Sequence, residues 1–311
     1  MTPPRLLLVL SENWTITSPR DMRALVRMSV EAEQAGIDGV MVSEHIVLGR
    51  SAGADGVMAN PRDYAYPGNQ EPDMAWPSSI VLLSGIAAAT ERLRLVAGAI
   101  IAPLRHPLHL AKELGTLDLL SEGRLAVIPT VSWHQDEYAA LGVPFEQRGA
   151  ILDEQLEVLE QCWRPGPVSH HGTYFSFEDV WVEPRPYRPD GPVLWFGGQR
   201  MHGALLRRLV RWGRGFNPLG SPTAEDLAAL AGGLAAAGRD PASMEMIGGI
   251  RGRFADGVGA ADIDEALEAL PAQLAQGFDT ICFKPSMYVD DASEVAALCR
   301  NLVRKVEAIA S

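Results

Sequence analysis

The sequence predicts a (β/α)8 barrel, an α/β fold of the TIM-barrel type, on three observations. Short, nearly continuous apolar runs recur at residues 6–10, 40–42, 93–96, 125–128, 193–196, 244–250 and 280–283. Alternation is weak in most of them, as in strands buried on both faces of a parallel sheet. Segments with helical spacing separate the runs, and the junctions from helix to strand are near copies of one another. With one further strand at 215, strand starts fall near 6, 39, 93, 124, 193, 215, 244 and 279, which gives eight strand–helix units. A doubly wound open sheet is the competing fold. It carries a glycine-rich turn after its first strand, where this chain has Ser11-Glu12-Asn13-Trp14.

In order along the chain, the first helix is expected to open at Ser18-Pro19-Arg20-Asp21. That segment supplies a capping hydroxyl, a proline for the first turn and an acid near the positive helix end. Leu25, Met28, Ala32 and Ala35 form its apolar face. The helix gives way at Ala35-Gly36-Ile37-Asp38-Gly39-Val40, a pattern repeated at Gln276-Gly277-Phe278-Asp279-Thr280-Ile281. Ser121-Glu122-Gly123-Arg124-Leu125 and Trp212-Gly213-Arg214-Gly215-Phe216 are looser versions. Each is expected to end a helix in a left-handed glycine turn that feeds a strand.

Two intervals exceed simple connections. Residues 46–77, rich in Gly, Pro, Asn and Asp and carrying Tyr64, Tyr66 and Trp76, form an insertion after strand two. It is expected on the catalytic face as a lid or substrate wall. Residues 164–191 form a second insertion before strand five. There the alternating Thr173-Tyr174-Phe175-Ser176-Phe177 suggests a small hairpin and His170-His171 a turn. Farther on, Ile263, Leu267, Leu270 and Leu274 share one helical face, and Val295, Leu298, Leu302 and Ile309 another. No linker interrupts the series, so residues 1–311 read as a single barrel domain.

Composition narrows the class of function. The 311 residues are 47% hydrophobic and 21% charged, a globular balance, and the net charge is −12. An acidic chain without a Lys/Arg run argues against nucleic acid as partner. The longest apolar stretch, residues 95–104, falls well below the ~20 residues of a membrane span. The amino-terminal apolar run is too short for a signal-peptide core. Cys162, Cys282 and Cys299 are odd in number and widely spaced, which fits buried thiols in a reduced, cytoplasmic protein.

In a barrel the residues just after each strand carry the chemistry. Glu44-His45 is the sharpest pair, because an imidazole at a strand end is placed for proton transfer. Phe196-Gly197-Gly198-Gln199 reads either as a phosphate cradle of backbone N–H groups or as a tight turn that needs glycine. Arg251, Arg253 and Lys284 also follow strands. His106 and His109 stand one helical turn apart, and the expectation is that His106 caps the third helix beside Pro107 while His109 faces solvent. No metal centre is expected. Glu146, Arg148 and Trp163 read, taken singly, as a loop and a solvated helix face.

Longer motifs carry a family resemblance. The stretch Leu104-Arg105-His106-Pro107-Leu108-His109-Leu110-Ala111-Lys112-Glu113-Leu114-Gly115-Thr116-Leu117-Asp118-Leu119-Leu120-Ser121-Glu122-Gly123-Arg124 resembles a signature of the bacterial luciferase-like monooxygenase superfamily. So does Trp133-x-x-x-Glu137-Tyr138-x-x-Leu141-Gly142-Val143-Pro144-Phe145-x-x-Arg148-Gly149. His171-Gly172-x-Tyr174-Phe175, the run from Pro192 to Gly198, and Ser43-Glu44-His45 complete the match, which fades beyond about residue 217. Within the superfamily the chain looks most like the branch that uses the deazaflavin coenzyme F420.

The resemblance implies a homodimeric barrel that holds a deazaflavin or flavin across its strand ends. Carried over, Ala97, Gly98 and Ala99 would contact the ring beside a cis peptide bond, and His45 would line the ring and reacting site; read from the residues themselves, Glu44 or loop atoms would hold His45. Thr130, Val131 and Ser132, with Gly197, Gly198 and Gln199, would hold the ribityl and phosphate parts. Apart from the resemblance, Trp14, Trp76 and Trp133 read either as walls of an apolar substrate pocket or as plain core. One departure stands out: the family's glycines after strand four are replaced by Ile128-Pro129-Thr130-Val131-Ser132. Three readings follow. The first is an F420-dependent hydride transfer to a small organic substrate. The second is an FMN-dependent monooxygenase served by a separate reductase, and the third a non-catalytic scaffold of the same fold.

Overall fold

The computed structural model describes residues 3–255 and 257–311. Eight parallel strands close into a barrel: β1 (Arg5–Val9), β2 (Gly39–Val42), β3 (Arg94–Ile101), β4 (Leu125–Thr130), β7 (Val193–Gly198), β8 (Gly215–Pro218), β9 (Glu245–Gly249) and β10 (Thr280–Phe283). The closure runs β1-β10-β9-β8-β7-β4-β3-β2. All eight expected starts lie within about one residue of these strands. A two-stranded antiparallel hairpin, β5 (Val168–His171) and β6 (Ser176–Val180), stands outside the barrel in the second insertion.

Two apolar layers hold the closure. Leu7, Val9, Met41, Val96, Ala126, Ile128, Trp195, Ile247 and Cys282 point inward and fill the barrel. Their chain neighbours, such as Leu6, Leu8, Val40, Leu95 and Val127, point outward onto the helices, as the period of two along a strand requires. The helices that cover them include α1 (Met22–Gln34), α2 (Ser79–Ala89), α3 (Pro107–Leu120), α4 (Gln135–Ala140) and α5 (Arg148–Cys162). The rest of the layer is α6 (Gly203–Arg211), α7 (Ala224–Ala236), α8 (Ile263–Leu267), α9 (Leu270–Ala275) and α10 (Val295–Ala310).

The repeated junctions have a physical basis. Gly36, Gly123 and Gly277 take φ of 92°, 79° and 88°, the left-handed turn that side chains resist. Asp38 then accepts the N–H of Leu6 at 2.7 Å, and Asp279 that of Met246 at 3.2 Å. Each repeat thus ties its strand to the start of the neighbouring one. Gly213 differs: it is not left-handed, and a Cβ there would lie 2.9 Å from the backbone of Leu209. That glycine serves close approach instead.

Four local expectations change. The first helix starts at Met22, with Asp21 as the cap accepting from Ala24 N, while Ser18 accepts from Arg20 N in a preceding turn. The helix expected across 263–274 is two helices, because Pro271 has no N–H to continue the ladder. In the hairpin, Thr173, Tyr174 and Phe175 form the turn and His170-His171 the strand. The cause is Glu154 on α5, whose carboxylate accepts all three turn N–H groups at 2.8–3.1 Å. Trp163 is buried at 3% exposure against Gly191 rather than solvated.

Candidate active site

The parallel strands bring Glu44, Arg105, Trp133 and Gly197, with their neighbours, to one end of the barrel, the carboxyl-terminal rim. Glu44 and His45 leave β2 together and then separate. Glu44, 5% exposed, turns toward the helix layer. It accepts from both Arg105 guanidinium nitrogens at 2.7 and 3.1 Å, from Ser79 Oγ at 2.8 Å and from Ile101 N at 3.2 Å. Such a bidentate, fully satisfied carboxylate is a clamp between β2, β3 and α2. It does not hold His45.

The partner of His45 is Glu137 on α4, whose Oε2 lies 3.1 Å from His45 Nδ1. Glu137 is fully buried, and its other oxygen accepts the backbone N–H groups of Ile46 and Val47. A carboxylate only accepts, so Nδ1 carries the hydrogen of this contact and Nε2 is the ring nitrogen it leaves over. Trp76 and Trp133 pack edge-on against the imidazole, with ring centroids at 5.2 and 5.7 Å. Trp14 donates its indole N–H at 3.1 Å to the carbonyl of Ala75, the residue before Trp76. Sequence reasoning named the three tryptophans and His45. It quoted Glu137 without a role, because a pair 92 residues apart leaves no local pattern.

His134 completes this side of the rim. Its Nε2 accepts from Gly49 N at 2.7 Å, while its Nδ1 is buried without a partner. Burial holds its imidazole below the ordinary range.

Within β3 the Gly98–Ala99 peptide is cis, in the segment where the resemblance places one, and the pairing with β4 shifts register there. Ser43 Oγ donates to Gly98 O at 2.7 Å, which links β2 to this bend. Ala97 faces the helix layer, whereas Ala99 packs against the barrel interior. On β4's loop Ser132 takes φ 58°, so a glycine-like backbone persists without the glycine. Val131 O is held by the Tyr138 hydroxyl. Thr130 and Ser132 are half-buried and offer hydroxyl donors. At the end of β7 a Cβ on Gly197 would lie 2.4 Å from Asn217 O, so Gly197 is required for strand packing. A Cβ on Gly198 would lie 3.2 Å from the Leu205 side chain, a looser fit than at Gly197, and Gln199 is exposed. His106 caps α3 by accepting from Leu108 N, and His109 is exposed.

The donor set suits a flavin at this rim. Hydroxyls and backbone N–H groups gather around residues 130–132, and Arg148 at the start of α5 stacks on Phe145 with its Nε buried and unpartnered. A guanidinium with an open donor and a loop of hydroxyls are what a ribityl phosphate needs. No group of three or more His, Cys, Asp or Glu among the described residues is arranged to hold a metal ion.

A closed parallel barrel with its proton-carrying and aromatic side chains gathered at the strand ends is the plan of a rim-site barrel enzyme. The chain belongs to the luciferase-like monooxygenase family, whose model matches residues 5–295. It is 38% identical over 115 residues to an uncharacterized protein of Mycobacterium tuberculosis, covering 37% of this chain and 40% of that protein. It is 30% identical over 138 residues to the FMNH(2)-dependent dimethylsulfone monooxygenase of Pseudomonas putida, covering 43% of this chain and 38% of that one. These matches therefore span about two fifths of each relative's length. In structure it resembles the monooxygenase RslO1 of Streptomyces bottropensis, with a TM-score of 0.72, 20% identity, and coverage of 96% of this chain and 98% of that one. That likeness concerns the fold.

Proposed function

We propose that the chain is the oxygenating component of a two-part monooxygenase that uses reduced FMN, supplied by a separate reductase, on a small organic substrate. The observation that carries the reading is the His45–Glu137 pair walled by Trp76 and Trp133 at the rim of a barrel of this family. The reduced-flavin relative moves the reading from F420 to FMN. Reduced FMN, when bound, would supply the electrons that activate dioxygen.

The chain's own residues would do the rest. His45 Nε2 accepts or returns a proton at the substrate, with Glu137 holding the tautomer. Trp76, Trp133 and Trp14 exclude water from that atom. Ala99 and Gly98 lie against the ring; Thr130, Ser132, Gly198 and Gln199, with Arg148, hold the chain and phosphate. Val131, Gly197, Ala97 and Glu44 shape these segments from behind. The protein works as a dimer in the reducing cytoplasm in this reading. In support, the outer face of α2, with Val81 73% exposed beside Gly85, Ala88 and Ala89, carries no charge, and all three cysteines are buried thiols.

The test is a calorimetric titration with FMN, reduced FMN under nitrogen, and F420, followed by oxygen uptake with reduced FMN. Binding of reduced FMN with substrate-dependent oxygen uptake is expected. Selective binding of F420 would return the chain to the deazaflavin branch, and binding of neither would favour the scaffold.

A further inference from the structure

The insertion after β2 lays its own backbone against two buried charges at the mouth. Glu12 follows β1 and is 6% exposed; Lys284 follows β10 and is fully buried. Lys284 Nζ donates to Asp63 O at 2.5 Å and lies 5.4 Å from the centre of the Tyr64 ring. Glu12 Oε1 accepts from Ala65 N at 2.7 Å. Between these two contacts Tyr64 packs onto the apolar interior of the barrel. The segment is held down by polar contacts at its flank. Arg62 donates to Val258 O, Ser286 O, Val289 O and Asp290, and Asp63 pairs with Arg251. Glu12 itself takes φ 62°, a strained backbone for a residue with a side chain.

The loop therefore gives the cation one carbonyl and the carboxylate one N–H, both neutral and taken from the two peptide groups that flank Tyr64. Glu12 and Lys284 sense each other's charge, since each draws the other toward its ionised form against the effect of burial. A ligand that enters by displacing residues 63–65 has to replace both contacts, because a buried charge stripped of its partner is costly. An anion would meet Glu12 and a cation would meet Lys284, so the replacement is neutral.

We propose that Glu12 and Lys284 are a specificity pair for a neutral cyclic amide or imide, whose adjacent N–H and C=O take the places of Ala65 N–H and Asp63 C=O. This rests on the reading of the rim as a substrate site. The same carbonyl–N–H edge exists on a small substrate and on the flavin ring, and we assign it to the substrate. Tyr64 then leaves the mouth as the ligand's ring enters.

The experiment titrates the full-length protein, by tryptophan fluorescence, with succinimide, N-methylsuccinimide and FMN. Both imides carry carbonyls, but only the first has an N–H. The wild type is expected to bind succinimide tighter by roughly tenfold or more, since a site built around a donor rejects the analogue lacking it. Glu12→Leu should abolish that preference, and Lys284→Met should weaken both imides, with FMN affinity unchanged in each. Circular dichroism checks folding, and either variant decides the matter if the other does not fold. Equal binding of the two imides by the wild type would overturn the proposal. So would variants that lose FMN while keeping the imide preference, because the pair would then serve the cofactor's ring. If FMN binds no form of the protein the flavin reading fails, while the imide preference and its loss in Glu12→Leu still decide this one.

Discussion

Glu44 and His45 are adjacent in the chain and work in different parts of the molecule. Glu44 points into the sheet–helix layer, where two guanidinium nitrogens, a hydroxyl and a backbone N–H occupy both its oxygens. His45 points along the rim, where one ring nitrogen is held by Glu137 and aromatic rings pack around the imidazole. The difference follows from what each meets beyond the end of β2: Arg105, Ser79 and Ile101 surround Glu44, whereas Glu137 of α4 reaches His45. It teaches that saturation separates the two roles. A charge with every lone pair taken fixes structure, whereas an imidazole tied at one nitrogen keeps the other for proton transfer.

The largest effect that tests this contrast is Glu44→Ala, which leaves Arg105 uncompensated in a site 17% exposed. It should cost about 3–5 kcal/mol of stability, read from urea unfolding. A loss within the scatter of a surface substitution would break the comparison, since Glu44 would then be no clamp. Next, His45→Ala should lower turnover roughly 10²-fold or more, the scale of a lost acid–base group, and should cost less stability than Glu44→Ala, because the buried Glu137 loses one partner but keeps the N–H groups of Ile46 and Val47. Equal turnover with the true substrate would return His45 to the role of a loop contact.

Glu137→Gln sharpens the same point with a smaller effect. The side-chain carbonyl still takes the N–H groups of Ile46 and Val47, but the amide no longer forces the hydrogen onto Nδ1. Turnover should fall about tenfold, less than for loss of the imidazole itself. Steady-state rates of the two variants, measured side by side, check the ranking.

The smallest effect concerns pH. Burial depresses the folded pKa of His134 below its ordinary value near 6.5. The unfolded chain therefore takes up a proton that the folded chain refuses, so stability is full above pH 6.5 and declines as the pH falls toward the folded value. His134→Asn, which keeps an acceptor for Gly49 N–H, should flatten the fall in melting temperature between pH 7.5 and 5.5. An identical fall in both proteins would assign it to other groups.

The barrel was legible because its rules are local and repeated. Apolar runs of strand length, alternating with amphipathic helices, leave few other ways to bury both, and Gly36-Ile37-Asp38 and Gly277-Phe278-Asp279 mark the turns where strands begin. Pro271 was equally readable as a break, and the continuous apolar face of 263–274 masked it. The hairpin turn was not readable, since its cause is the Glu154 carboxylate 19 to 21 residues earlier on α5.

What the sequence by itself determined is the barrel, the rim on which chemistry can sit, and the residue types at each strand end. These depend on hydrophobic period and on backbone freedom, both properties of short segments. Only the tertiary structure decided which charges meet. It paired Glu137 rather than Glu44 with His45, required Gly197 for strand packing, and set Asp63 and Ala65 against Lys284 and Glu12. The physical reason is that hydrogen bonds and ion pairs act over a few ångströms in space. The closing of the barrel, not the order of the chain, brings those partners within reach.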